Sequence, residues 1–492
     1  MNKLFGIILF LLWVSFPAEG QHTFERFFTD QTLRIDYFHT GDAKTEIITL
    51  DKIYRQGTWA GNPDRCIQPF EFGSYKVSAY DIATNALIYS KGYSTIFAEY
   101  QTIGPAIQGI KRTYHETVLL PCPKKKFMLV IEKRDRYNLL STLVTQVIDP
   151  SDYHIADESV FGSKDLVIQT VNNGNPHKKV DLVILGEGYD QSEQDKFRSD
   201  LKYYTGLFFS VEPYKSMAGL FNITGVFSPS EESGTDEPRQ GTYKNTRFGS
   251  SFNAFDLDRY CLVEDNKSIR DVAARVPYDA ILIMVNKDRY GGGGIFNWQT
   301  VFCTGSLWRD YVFLHEFGHA FAGLGDEYFS SPVSYEDFYT PGVEPLDPNV
   351  TALLDPSNVK WKQYLSPGID VPTDWNKPVY DSLVNLIAVL NAEREKTIEK
   401  MKGSGASEKE ISSTSAEYQL RINQTNREVD EFIAHHPLKD KVGVFEGANY
   451  LSKGLYRPTL MSLMHKFEEN RLSYDVVNEQ AIIATILYYT GN

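Results

Sequence analysis

Five residues, His315-Glu316-Phe317-Gly318-His319, constrain this 492-residue chain more than any other stretch. Residues four apart share one face of a helix, so the spacing offers two imidazole nitrogens to a single metal ion. Glu316 rides the same helix, where its carboxylate can take a proton from a water on that metal. Around the motif, Leu307, Val312, Phe313, Leu314, Phe317, Phe321 and Leu324 are apolar, as expected of a helix buried beneath an active site. The pattern predicts a helix over Ser306–Leu324, with Ser306 as its N-cap. Gly323 and Gly325 follow as stop signals, because glycine enters the left-handed region without steric cost. The chain can then turn and bring a third ligand back to the metal.

A catalytic zinc takes three protein ligands and keeps one position open for water. Asp326, a short carboxylate just past the glycine turn, is the favoured third ligand for a single zinc ion. Glu327 is the alternative, and a glutamate from a later helix a further one. Far downstream, Ser462-Leu463-Met464-His465 looks like the tight turn that carries a methionine beneath the zinc of metzincin-type peptidases. Met464 is then the floor residue, with Met461 second. Tyr450, Tyr456 and Arg457, close to that turn, are candidates to meet the oxyanion or the substrate.

The run Gly323-Leu324-Gly325-Asp326-Glu327-Tyr328, with Val442-Gly443-Val444-Phe445-Glu446-Gly447-Ala448-Asn449-Tyr450 and Tyr456-Arg457-Pro458, resembles the IgA metallopeptidase family of bacteria. The resemblance spans about Lys178 to Thr490. It implies a metzincin-like zinc peptidase preceded by an all-β domain, acting on a protein or peptide. One departure stands out. Metzincins place a glycine three residues after the second histidine and the third ligand six after, whereas Gly323 here follows by four and Asp326 by seven.

The expected architecture is α+β and multidomain. Residues 21–150 read as a β-sandwich, with short runs such as Leu33–Phe38 and Phe127–Glu132 set between turn-rich pieces. Residues 160–492 read as an α/β catalytic domain. Its predicted elements are strands at Val180–Leu185, Phe221–Phe227 and Ala280–Val285, and a helix from Gln191 to about Phe209. Residues 294–303, after a run of four glycines, are expected to form an edge strand that pairs with extended substrate. A charged helical hairpin is expected as an insertion at 374–435, with helices at Tyr380–Met401 and Ser415–Ile433.

A formal charge of −14 argues against nucleic-acid binding, which wants a basic face. Met1–Gly20 reads as a signal peptide cut before Gln21, which predicts an exported protein, periplasmic or extracellular, with no membrane-spanning segment. Cys66, Cys122, Cys261 and Cys303 are then free to pair, Cys66 with Cys122 and Cys261 with Cys303 within domains, or to stay as buried thiols. The motifs together predict a secreted zinc endopeptidase with Glu316 as general base. A non-catalytic adhesion protein and a zinc amidase acting on cell-wall peptides remain as alternatives.

Overall fold

The computed structural model describes residues 24–158, 165–329, 339–465 and 472–492. The expected leader and its cleavage point before Gln21 lie outside the described residues.

The amino-terminal region contains strands β1 (Phe28–Gly41), β2 (Glu46–Arg55), β3 (Tyr75–Asp81), β4 (Leu87–Tyr93), β5 (Arg112–Pro123), β6 (Phe127–Arg134), β7 (Leu140–Ile148) and β8 (Ala156–Asp157). Two short helices, α1 (Ile96–Tyr100) and α2 (Gly104–Ile107), lie between β4 and β5. The strands form two four-stranded sheets, ordered β5-β1-β2-β8 and β4-β3-β6-β7. Alternate residues of a strand face opposite ways. Leu33, Ile35 and Tyr37 of β1 therefore share a core with Val77 and Ala79 of β3 and Leu129 and Ile131 of β6. Arg34 and Asp36, on the other face of β1, are also fully buried. Arg34 is forked onto Asp36 at 2.6 and 2.8 Å and reaches Asp271, from the following region, at 2.7 Å.

The second region is built on a six-stranded sheet. Its strands are β9 (Leu166–Val171), β10 (Val180–Glu187), β11 (Phe221–Phe227), β14 (Ala280–Val285), β15 (Gly292–Ile295) and β16 (Gln299–Cys303), ordered β15-β16-β14-β10-β11-β9. A small pair, β12 (Ser250–Ser251) and β13 (Leu262–Val263), stands apart. The four inner strands are parallel and the two edges antiparallel. β10 and β11 are buried along their whole length, as parallel strands covered on both faces must be. Leu182 and Ile184 face a core made with α3 (Gln194–Phe208), α5 (Arg309–Ala322) and α8 (Val476–Thr490). Val183 and Leu185 face α4 (Asn266–Ala273) on the other side. Asp190 and Glu193 form a capping box, so a short 3₁₀ turn over Gln191–Glu193 precedes α3.

Three expectations need correction. Helix α5 begins at Arg309, not Ser306. Trp308 holds the N-cap position, and the hydroxyl of Ser306, two residues earlier, accepts the Trp308 N–H at 3.1 Å. The expected edge strand at 294–303 is a hairpin whose second arm, β16, is interior and paired on both sides. Only β15 is an edge, and Tyr260 already bridges it at Gly292, while the Phe296 carbonyl just beyond it accepts the Ser94 N–H at 2.9 Å. The open edge is therefore short. In the helical insertion, α6 (Lys377–Gly403) and α7 (Glu408–Ala434) are both longer than expected, because a Ser407–Glu410 capping box starts α7 seven residues early. A final hairpin, β17 (Phe445–Ala448) and β18 (Leu451–Arg457), leads to the methionine segment. All four cysteines are free thiols.

The glycine run serves packing. A Cβ built on Gly294 would lie 2.1 Å from the Glu316 carbonyl oxygen, and one on Gly292 would meet the Val301 carbonyl oxygen at 2.6 Å and Val312 at 2.7 Å. Helix α5 lies directly on the edge strand because no side chain intervenes. Valine at Gly294 would therefore disturb the fold itself. Gly294→Ala is expected to cost about 1–3 kcal/mol of stability by overpacking, read as a lower urea midpoint at constant slope. An unchanged midpoint would contradict the contact.

Candidate metal centre

Helix α5 places His315 and His319 one turn apart with Nε2 atoms 3.0 Å from each other. The chain leaves the helix through Gly323, which is left-handed at φ 64°. It returns Asp326 so that Oδ1 lies 3.0 Å from the His315 Nε2 and 3.3 Å from that of His319. His315, His319 and Asp326 each present one ligand atom within 4.8 Å of the others. The outer nitrogens are anchored. His315 Nδ1 donates to the Leu463 carbonyl at 3.0 Å and His319 Nδ1 to the Leu324 carbonyl at 2.5 Å. A carbonyl only accepts, so each Nδ1 carries the proton and each Nε2 turns a lone pair inward.

Two lone pairs and a carboxylate now face one point, and Asp326 Oδ1 is buried without a hydrogen-bond partner. Such a cluster calls for positive charge. Burial alone would lower the pKa of His319, yet Asp326 and Glu316 raise it to about 10. Asp326 shows the mirror image: burial opposes its charge, and the two histidines hold its pKa well below the carboxylate range. The donor set, two imidazoles and one carboxylate, fits a divalent metal of the zinc type with a position left open.

Glu316, which follows His315 on α5, lines the cleft and is partly exposed. Burial raises its pKa, with His315 and His319 acting in the opposite sense.

Glu327 faces away from the histidines. It is fully buried and accepts from Asn349 Nδ2 at 2.9 Å, Asn478 Nδ2 at 3.0 Å and the Ser462 hydroxyl at 2.6 Å. Its own N–H donates to the Met464 carbonyl at 2.9 Å. Burial, with Asp475 nearby, pushes its carboxyl up to about 8. Glu327 thus fastens the methionine turn. Met464 is fully buried beneath α5, where a Cβ on Gly318 would stand 2.9 Å from its sulfur. Met461 packs elsewhere, against the core shared by Trp375 and Phe445.

Of the three residues expected near the oxyanion, only Tyr450 lines the cleft, its hydroxyl donating to Asp326 Oδ2. Arg457 is wholly buried, donating to the carbonyls of Gly447 and Thr459 beneath the Trp375 ring. Tyr456 pairs with Thr351 and packs beside Val359 and Trp361. Both lie close to the turn in sequence, and the fold sends them elsewhere. Sequence reasoning missed Arg259, Tyr290, Tyr311 and Tyr328, which line the cleft without any ligand spacing to mark them. The cleft has a volume of about 1230 Å³, and Phe72, Ser94, Arg136 and Asn138 of the amino-terminal region form part of its wall.

Glu327→Ala would strand three buried donors, so a loss of about 3 kcal/mol or more is expected in denaturant unfolding. Glu327→Gln keeps an acceptor for the two asparagines and should recover most of it. Equal stability of Glu327→Ala and the parent chain would contradict the clamp.

A family model described as IgA Peptidase M64 matches residues 168–486, and one described as Peptidase M64 N-terminus matches residues 23–145. No curated protein matches the chain.

Proposed function

The chain belongs to the IgA Peptidase M64 family, and on that premise we propose that it is an exported zinc endopeptidase of metzincin-like build. Membership implies a metallopeptidase acting on protein. The observation that carries the finer reading is the convergence of His315 Nε2, His319 Nε2 and the buried Asp326 Oδ1, with both outer ring nitrogens tied to carbonyls. Two imidazoles and one carboxylate are a catalytic zinc complement, so His315, His319 and Asp326 are the proposed ligands. His315, His319 and Asp326 would hold a zinc ion there, which would supply Lewis acidity toward water and a substrate carbonyl.

Glu316 is the proposed general base. Carried on α5 beside the two histidines and open to the cleft, it can accept a proton from the attacking water and return it to the leaving amine. Tyr450 holds Asp326 in place through its hydroxyl and stands where it can also meet the substrate. Met464 closes the floor under the histidine pair. Residues 21–150 serve as the β domain, and residues 160–492 as the catalytic domain carrying the hairpin 374–435. Export rests on the leader-like Met1–Gly20, and among the described residues no helix is long and apolar enough to cross a membrane.

Glu316→Gln is expected to retain about one zinc per chain and to lower kcat by about 10²–10⁴-fold on a protein substrate. Undiminished turnover would contradict the assignment. Zinc-dependent release of amines from cell-wall fragments, with proteins untouched, would turn the reading to an amidase.

A further inference from the structure

We propose that Tyr450 is a positioning residue that confines Asp326 to one ligating oxygen and so keeps a coordination position open for water, an inference that rests on the metal-centre reading above. Three observations carry it.

The first is how the two carboxylate oxygens of Asp326 are used. Oδ1 lies 3.0 Å from the His315 Nε2 and 3.3 Å from that of His319, so it is the oxygen turned to the candidate metal position. Oδ2 accepts the Tyr450 hydroxyl. The hydroxyl oxygens of Tyr328 and Tyr450 lie 3.4 Å apart. An ionised carboxylate only accepts, so Tyr450 donates to Asp326 and the Tyr328 hydroxyl is the donor to Tyr450. A carboxylate free at both oxygens can bind a metal through one or both. With Oδ2 engaged by a hydroxyl, Oδ1 alone is offered, and outer partners of this kind orient metal ligands.

The second is the backbone that delivers the hydroxyl. Ala448 pairs with Leu451 across the β17–β18 hairpin, so Asn449 and Tyr450 are its two-residue turn. Their φ angles are 42° and 61°, both left-handed. Turns of this kind favour asparagine followed by glycine. A tyrosine side chain crowds the backbone at such an angle. Strain of this sort persists where the surroundings hold it, and it collects at functional sites. Glycine would make the turn without strain, but it has no hydroxyl to give Asp326.

The third is the way the hairpin tip is stitched to the loop that carries Asp326. The Asn449 N–H donates to the Asp326 carbonyl at 2.8 Å, and the Tyr450 N–H to the Tyr328 carbonyl at 3.1 Å. Asn449 Nδ2 donates to Asp347 Oδ2 at 3.1 Å. The Tyr450 ring meets that of Tyr328 edge-on at 5.4 Å, and Tyr328 in turn lies nearly parallel to the His315 ring at 6.1 Å. Tip and ligand loop therefore form one unit, and the hydroxyl is fixed by the backbone on both sides of it.

The test is optical and needs no substrate. The full mature chain is loaded with Co2+ in place of zinc, because four-coordinate cobalt absorbs visible light far more strongly than cobalt with more ligands. Wild-type protein is expected to give the strong four-coordinate band. Tyr450→Phe, which keeps the ring and the turn, should give a weaker band as Asp326 Oδ2 turns onto the metal, with about one ion per chain bound in both. With zinc and a protein substrate, Tyr450→Phe should lower kcat by about 10–100-fold. Identical spectra with a lowered kcat would overturn the proposal in favour of a hydroxyl that meets the substrate. Identical spectra and equal kcat would overturn it outright. If the variant fails to fold, a crystal structure of the zinc-loaded wild type decides: Oδ2 kept on the Tyr450 hydroxyl supports the proposal, and both oxygens on the zinc overturn it. Failure of the peptidase reading shows differently. A chain that binds cobalt yet cleaves no protein is not a peptidase, while its spectra still decide the role of Tyr450. A chain that binds no metal at His315, His319 and Asp326 removes the centre and this inference together.

Discussion

Helix α5 lies against β15 with no room for a side chain between them, and the geometry of the candidate metal centre follows from that contact. Gly292 and Gly294 let the helix down onto the strand until the Glu316 carbonyl meets the backbone of Gly294. On the opposite side, Gly318 receives the sulfur of Met464, and the Leu463 carbonyl takes the Nδ1 proton of His315. The helix is held between an edge strand and a turn, so the two imidazoles have little freedom to rotate. Such pre-set donors are what a tight metal site requires, because little entropy is then lost on binding. The turn itself is fastened by Glu327, whose carboxylate ties Ser462 to Asn349 and Asn478.

The amino-terminal sheets are bound into this arrangement. Arg34, buried with Asp36, crosses to Asp271 on α4, and Ser94 donates to the carbonyl just beyond the edge strand. Asn297 returns the contact by donating to the Gly92 carbonyl at 2.7 Å. A removed partner at Arg34 would leave buried charge uncompensated, which costs far more than a surface ion pair gains. The cleft is thus lined by both regions.

Periodic features were legible in the sequence. The histidine spacing, the apolar run Val180–Leu185 and the helical start at Gln191 each follow a local rule, and each lies where that rule puts it. Features that depend on what packs against a residue were not. Four glycines in a row carry no strand pattern, although three of them sit in a strand pressed on a helix or an aromatic ring. Arg34 and Asp36 obey strand alternation and would be assigned to solvent, but α4 covers that face. Asp326 and Glu327 are adjacent and chemically alike, yet one faces the histidines and the other a pocket of amides. Arg457 was close to the methionine turn in sequence and is buried beneath Trp375 instead. No one-dimensional pattern distinguishes these cases, because the deciding neighbour lies far away along the chain.

The most direct test of the proposed centre is anomalous diffraction at the zinc edge from crystals of the mature wild-type chain. One peak about 2.0–2.2 Å from His315 Nε2, His319 Nε2 and an Asp326 carboxylate oxygen is the predicted result. Failure to find a peak there after zinc addition, or a zinc ion ligated by Glu327 instead of Asp326, would contradict it.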